Sequence, residues 1–174
     1  MYNLPSFDSL KFTQKANMEL SLVWKEQSFL LLSDAIKKND SALMEEAIQW
    51  CGQKGHATQF LTKDEITLLA NKICCIIQTT IIEKGFKLDY YEMHKELKLS
   101  SFNAYSWLSK ICHVLNPNTN PLIYDIRTRK FLKRYTIDAW FDALMVFKAE
   151  HRDLERLSRN VAYKADSLIW AYYG

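Results

Sequence analysis

Glycine and proline are scarce in this chain, whose 174 residues hold only four of the first and three of the second. β-Sandwiches and barrels depend on frequent tight turns that draw on those residues, so little room is left for either architecture. Long apolar runs are missing too. None approaches the roughly 20 residues that a membrane span requires. The opening stretch MYNLPSFDSLKF has neither the charged start, the apolar centre nor the cleavage site of a signal peptide. A cytoplasmic protein with no membrane partner is therefore expected. Metal-ligand spacing is absent as well. Cys51, Cys74, Cys75 and Cys112 fit no zinc or iron–sulfur pattern and read as buried thiols. His56, His94, His113 and His151 are dispersed, and His56, in a glycine-containing loop, reads as a solvated side chain. No metal and no cofactor are expected.

What the chain does contain is apolar and aromatic mass, at 48% and 13% of residues. That is too much for disorder and enough for a real core, so residues 1–174 are expected to form one all-α domain, a helical bundle. Met18, Leu22, Phe29, Leu32 and Ile36 hold one helix face at separations of three, four or seven. The stripe breaks at Lys37-Lys38-Asn39-Asp40, after which Ser41 can cap a helix through Trp50, with a loop from Cys51 to Phe60. Thr62-Lys63-Asp64-Glu65 has the form of a capping box. The stripe from Ile66 through Ile73 to Thr80 then predicts a helix that ends near Gly85. A short helix is expected over 89–97, and another opens at Ser100 or Ser101 with Ala104, Trp107, Leu108, Ile111 and Leu115 inward. Asn116 to Pro121 is the clearest turn. Beyond it come a basic helix from Asp125, a helix from Thr136 with Trp140 and Leu144 inward, and a last helix. That last helix shows Leu154, Leu157, Val161, Ala165, Leu168 and Tyr172 on one face.

Charge is concentrated in one place. Between Asp125 and Tyr135 five cations, Arg127, Arg129, Lys130, Lys133 and Arg134, stand against one acid. The local charge is +4 in a chain whose total is +3. At about 100° per residue these cations share one half of a helix, and Thr128, Phe131, Leu132 and Tyr135 share the other. Such a helix can dock by its apolar side and offer its cations to phosphates. Asp125 sits where an N-cap belongs, able to accept from the backbone N–H of Arg127 or Thr128. Lys110 lies at the border of the preceding helix's apolar face, where a lysine stem can pack while its ammonium reaches water.

The run from Trp107-Leu108-Ser109-Lys110 through Asn116-Pro117 to Pro121-Leu122-Ile123-Tyr124-Asp125-Ile126-Arg127 resembles a pattern of small bacterial proteins. Those proteins carry "SK…H…NP…PIYDSR" followed by a basic helix. The closing Ala165-Asp166-Ser167-Leu168-Ile169-Trp170-Ala171-Tyr172-Tyr173-Gly174 resembles their "D…LW…G" ending. That pattern is in turn similar to the core of the helix-hairpin-helix DNA glycosylases, the endonuclease III-like superfamily. The resemblance implies that Lys110 matches the family's lysine, Asp125 its helix-opening aspartate, and Arg127 or Arg129 the basic residues behind it. It covers about thirty residues and the tail. The family's Gly-rich hairpin, whose backbone N–H groups bind a DNA phosphate, is replaced here by Ser101-Phe102-Asn103-Ala104-Tyr105-Ser106.

Two functions remain open on these residues. One is a helical module, of use in a bacterial or phage conflict system, that binds nucleic acid, DNA above all, or an acidic protein through residues 125–135. The other is a glycosylase-like enzyme that extrudes a base into an aromatic-lined pocket, with Trp50, Trp107, Tyr124 or Trp140 as wall. There Asp125 would act on the sugar cation or a water, and Lys110 would attack the sugar.

Overall fold

The computed structural model describes residues 15–53, 61–84, 104–117, 120–150 and 159–173. The described residues form seven α-helices and no strand: α1 Lys15–Lys38, α2 Ser41–Gln53, α3 Lys63–Lys84, α4 Ala104–Leu115, α5 Ile126–Leu132, α6 Ile137–Glu150 and α7 Arg159–Tyr173. The expected all-α class is thus the observed one. No helix among these residues is long and apolar enough to cross a membrane. The short helix expected over 89–97, the helix start at Ser100 or Ser101, Gly85 and His56 lie outside the described residues.

Local chemistry accounts for the helix ends. At the close of α1, Asn39 takes a left-handed backbone (φ 49°), which asparagine tolerates. Asp40 N–H then returns to Ala35 O at 3.1 Å. The cap of α2 is Asp40, whose Oδ1 accepts from Ala42 N–H (2.9 Å) and Leu43 N–H (3.2 Å). Ser41, expected as the cap, is instead the first helical residue, because the aspartate before it already reaches both orphan donors. This helix also runs three residues past Trp50, so the expected loop does not begin at Cys51. The capping box of α3 is present: Thr62 Oγ1 accepts from Glu65 N–H at 3.2 Å, and Glu65 Oε2 accepts from Thr62 N–H at 2.9 Å.

Packing centres on α1, which lies against α2, α3, α4 and α7. Its most buried line is Lys25, Ser28, Leu32 and Ala35, at separations of three, four and three. It is therefore rotated from the apolar stripe, of which Met18, Leu22, Phe29 and Ile36 are only half-buried. The core continues through Met44 and Ile48 of α2, Leu69 and Ile73 of α3, and Leu108 and Ile111 of α4. Phe131 of α5 meets Phe147 of α6 and Tyr173 of α7 edge-on, with centroids 6.2 and 6.5 Å apart. On α7 the expected face is also displaced. Ala165 is buried, but Leu168 is half-buried and Tyr172 exposed, while Asp166, Ser167 and Ile169 point inward. Cys74 and Cys112 are buried as expected, and burial pushes the Cys74 thiol up. Cys75, one helical step away, is exposed.

The basic run is not a single helix. Lys133 adopts a left-handed backbone (φ 53°) and ends α5, with Arg134 N–H bonded back to Arg129 O at 3.0 Å. Tyr135 consequently leaves the inner face on which Thr128, Phe131 and Leu132 are buried, and stands 62% exposed. A branched-free but Cβ-bearing residue in this region carries a steric cost that glycine avoids, so Lys133→Gly should stabilise the fold by about 1 kcal/mol in urea unfolding.

Candidate functional site

The site is assembled around residues 120–125, which lead into α5. Buried backbone groups need partners, and here side chains from three helices supply them. From α4, His113 Nδ1–H donates to Asn120 O at 2.7 Å, and Ser109 Oγ accepts from Tyr124 N–H at 2.9 Å. From α5, the Thr128 hydroxyl donates to Ile123 O. From α7, Asp166 Oδ1 accepts from Ile123 N–H at 2.8 Å. The segment delivers Asp125 as the N-cap of α5, its Oδ1 accepting from the N–H groups of Arg127 and Thr128, both at 2.9 Å. Thr128 completes the box by accepting from Asp125 N–H at 3.2 Å.

Beside Asp125 opens a cavity of about 600 Å3, bounded by α1, α4, residues 123–125, α5 and α7. That volume falls within the usual range for small-molecule sites, about 300–1,000 Å3. Lys25, Lys110, Asp125, Arg127, Arg129 and Asp166 supply its charged wall, and Trp24, Tyr124 and Trp170 its aromatic wall. Arg127 lies over Trp170, its guanidinium carbon 4.8 Å from the ring centroid, and its Nη1 is 3.5 Å from Asp125 Oδ2. Arg129 sits similarly over Tyr124 at 5.3 Å and donates from Nε to Asp125 O.

The cavity floor holds a buried ion pair. Lys25 is 1% exposed and Asp166 4%, with Nζ to Oδ2 at 2.7 Å. Lys25 also donates to Ser167 Oγ at 2.9 Å, and Ser167 shares a hydrogen bond with Ser21 at 3.0 Å. Burial pulls the Lys25 ammonium below the ordinary lysine range, although Asp166 and Asp125 both oppose that shift. Burial would raise Asp166, but the charges of Lys25 and His113 and the hydrogen bonds from Lys25 and Ile123 outweigh it. Asp166 is held below the usual carboxylate range. Asp125 moves the other way. Burial and the negative charge of Asp166 push it up, against the Thr128 and Arg127 contacts that favour its anion. Two neighbouring carboxylates with oppositely displaced proton affinities are an arrangement that acid–base chemistry uses.

The expected site residues divide. Lys110 and Asp125, on different elements and fifteen residues apart, line the same cavity, and so do Arg127 and Arg129. Lys130 and Lys133 face solvent, and Arg134 is half-buried, donating to Lys133 O. The expected outward face of five cations is thus split between cavity and surface. Of the aromatics, Tyr124 lines the cavity. Trp140 does not: it is fully buried in the core, edge-on to Tyr124 at 5.2 Å. Trp50 borders a separate shallow hollow with Leu31 and Glu46, and the Trp107 side chain lies outside the described residues. Trp24 and Trp170 take their place.

Lys25 was not legible as a site residue, because its neighbours on α1 present it as a polar position beside an apolar stripe. Asp166 and Trp170 stood in the closing segment whose resemblance is noted above, but nothing local assigned them a role. Among the described residues no three His, Cys, Asp or Glu side chains are grouped to hold a metal ion. Comparison with family models, curated proteins and solved structures returns no match to this chain.

Proposed function

We propose that the protein is a nucleic-acid enzyme of the glycosylase type, which takes an extruded base into the cavity and cleaves its bond to the sugar. The observation that carries this reading is that Lys110 and Asp125 both line one aromatic-walled cavity. A sequence resemblance of about thirty residues pairs the same two side chains. Trp24, Tyr124 and Trp170 supply ring faces against which a base can stack, and Arg127 and Arg129 supply donors for its acceptor edges or a flanking phosphate.

In the reaction, water adds to C1′ of the sugar, and the C1′–base bond breaks with its electron pair leaving on the base. Asp125 as carboxylate takes the proton from the water, and the departing base takes one up. Lys110 offers a competing nucleophile for C1′: its nitrogen forms a C1′–Nζ bond as the base leaves with the electron pair and takes up a proton. Opening of the C1′–O4′ bond, with proton transfer from Nζ to O4′, then gives an imine. Borohydride trapping distinguishes the two courses, because only the second leaves a reducible imine on the protein.

The decisive experiment measures binding and base release on duplexes with normal and modified bases, using the wild type, Asp125→Asn and Lys110→Ala. Base release by the wild type that is lost in Asp125→Asn supports the reading. Binding that persists and weakens steeply with salt, with no base released, leaves a non-catalytic binding module instead. No binding even at low salt removes nucleic acid as the partner.

The exposed pair Lys130 and Lys133 is the part of the basic run left for the phosphate backbone outside the cavity. Replacing both by alanine should weaken binding alike for all sequences and reduce the slope of log K against log salt by about 2. A salt titration of fluorescence anisotropy reads that slope.

A further inference from the structure

We propose that Lys25 and Asp166 are a positioning pair for Asp125: Asp166 holds the segment that carries Asp125 and sets a fixed negative charge behind it, so that Asp125 exchanges a proton in the cavity. The inference deepens the reading of Asp125 as the reacting carboxylate, and its measurement does not depend on base release.

Geometry carries the argument. Asp166 spends its two oxygens on different tasks, Oδ1 accepting from Ile123 N–H (2.8 Å) and Oδ2 from Lys25 Nζ (2.7 Å). The first bond anchors the backbone two residues before Asp125. The second comes from a cation on α1, which Ser167 also accepts from and which thereby ties α1 to α7. A pair retained for stability alone is hard to explain here, because a buried salt bridge often contributes no more than apolar residues of the same volume. Lys25 and Asp166 also line the cavity rather than a closed core.

The charges that share this cavity with Asp125 are Lys25 from α1, Lys110 from α4, Arg127 and Arg129 from α5, and Asp166 from α7. Arg127 favours the Asp125 anion, and Asp166 disfavours it together with burial. The positive charge of Lys25 favours the Asp166 anion, whereas Asp125 is the carboxylate whose proton affinity is raised. An Asp125 with raised proton affinity is the stronger base toward water in the reaction above.

The test is a pH titration of the Asp125 carboxyl carbon by NMR in protein labelled with 13C-aspartate. In the wild type the midpoint should lie above that of an ordinary aspartate. Asp166→Asn keeps an acceptor for Ile123 N–H and removes the charge, so the Asp125 midpoint should fall toward the ordinary value while the spectrum stays that of a folded protein. Lys25→Met/Asp166→Asn, which buries no unpaired charge, should show a smaller fall, because the Lys25 cation that attracts the Asp125 anion leaves together with the Asp166 charge. An Asp125 midpoint unchanged in folded Asp166→Asn overturns the proposal.

Anchoring is read separately by amide exchange. Ile123 N–H should exchange about tenfold faster or more in Lys25→Met/Asp166→Leu than in Lys25→Met/Asp166→Asn, since only the latter retains an acceptor. Equal exchange in the two overturns the anchoring role. A moved midpoint without base release from any duplex sustains the pair and overturns the enzyme. Base release with an unmoved midpoint does the reverse.

Discussion

Replacing Lys25 alone by methionine should cost about 3–5 kcal/mol of folding stability, the largest effect expected of any single substitution in the site. The reason is desolvation. Asp166 is 4% exposed, and with its ion-pair partner gone its charge would stay in a poorly solvated place with the Ile123 N–H and the more distant His113 to offset it. For a chain of this size that loss is a fall in thermal midpoint on the order of 10 °C. Adding Asp166→Asn to the same protein should recover most of the fall, because the second change removes the stranded charge and keeps the acceptor for Ile123. The double variant's recovery separates lost charge balance from a methionine that fails to fit. A single variant as stable as the wild type would mean that Asp166 is neutral beside Lys25. Calorimetry of the two variants and the wild type at neutral pH decides it.

The second large effect is on rate. Asp125→Asn should reduce base release by about 100- to 10,000-fold, the usual contribution of a positioned general base. It should do so with almost no loss of stability. Asparagine caps a helix about as well as aspartate does, so the N–H groups of Arg127 and Thr128 keep their acceptor. The Arg127 guanidinium retains its seat over Trp170. Single-turnover release, read alongside a thermal melt, gives both quantities for one protein. An unchanged rate in a stable variant would reduce Asp125 to a helix cap, the role that local sequence already explains.

What was legible beforehand follows the range of the interactions. Asp125 and its cap, the Thr62–Glu65 box and the all-α class all rest on contacts within four residues, and a linear reading reaches that far. Tyr135 failed because one non-glycine residue, Lys133, turns left-handed and ends the helix before the pattern does. The rotated face of α1 failed for another reason. Hydrophobic periodicity assumes that the buried stripe is apolar, whereas α1 buries Lys25 against Asp166 and Ser167 of α7, and Ser28 with its hydroxyl bonded to Trp24 O. Polar groups that satisfy each other across 141 residues leave no local trace in either segment. Lys110 and Asp125 stood out locally as a border lysine and a helix cap, their catalytic roles came only through a resemblance, and their shared cavity only through the fold.

The distance between Lys25 and Asp166 also bears on how the protein is made. At about 5–20 residues per second on the ribosome, about 7–28 s separate the synthesis of the lysine from that of its partner. Throughout that interval α1 carries an ammonium in the middle of the face that it will later bury. Early collapse of α1 onto α2 and α4 would have to leave that position wet, and only the arrival of α7 makes its burial favourable. The ion pair thus works as a latch on assembly order, and the cavity takes its final form when the two distant helices meet.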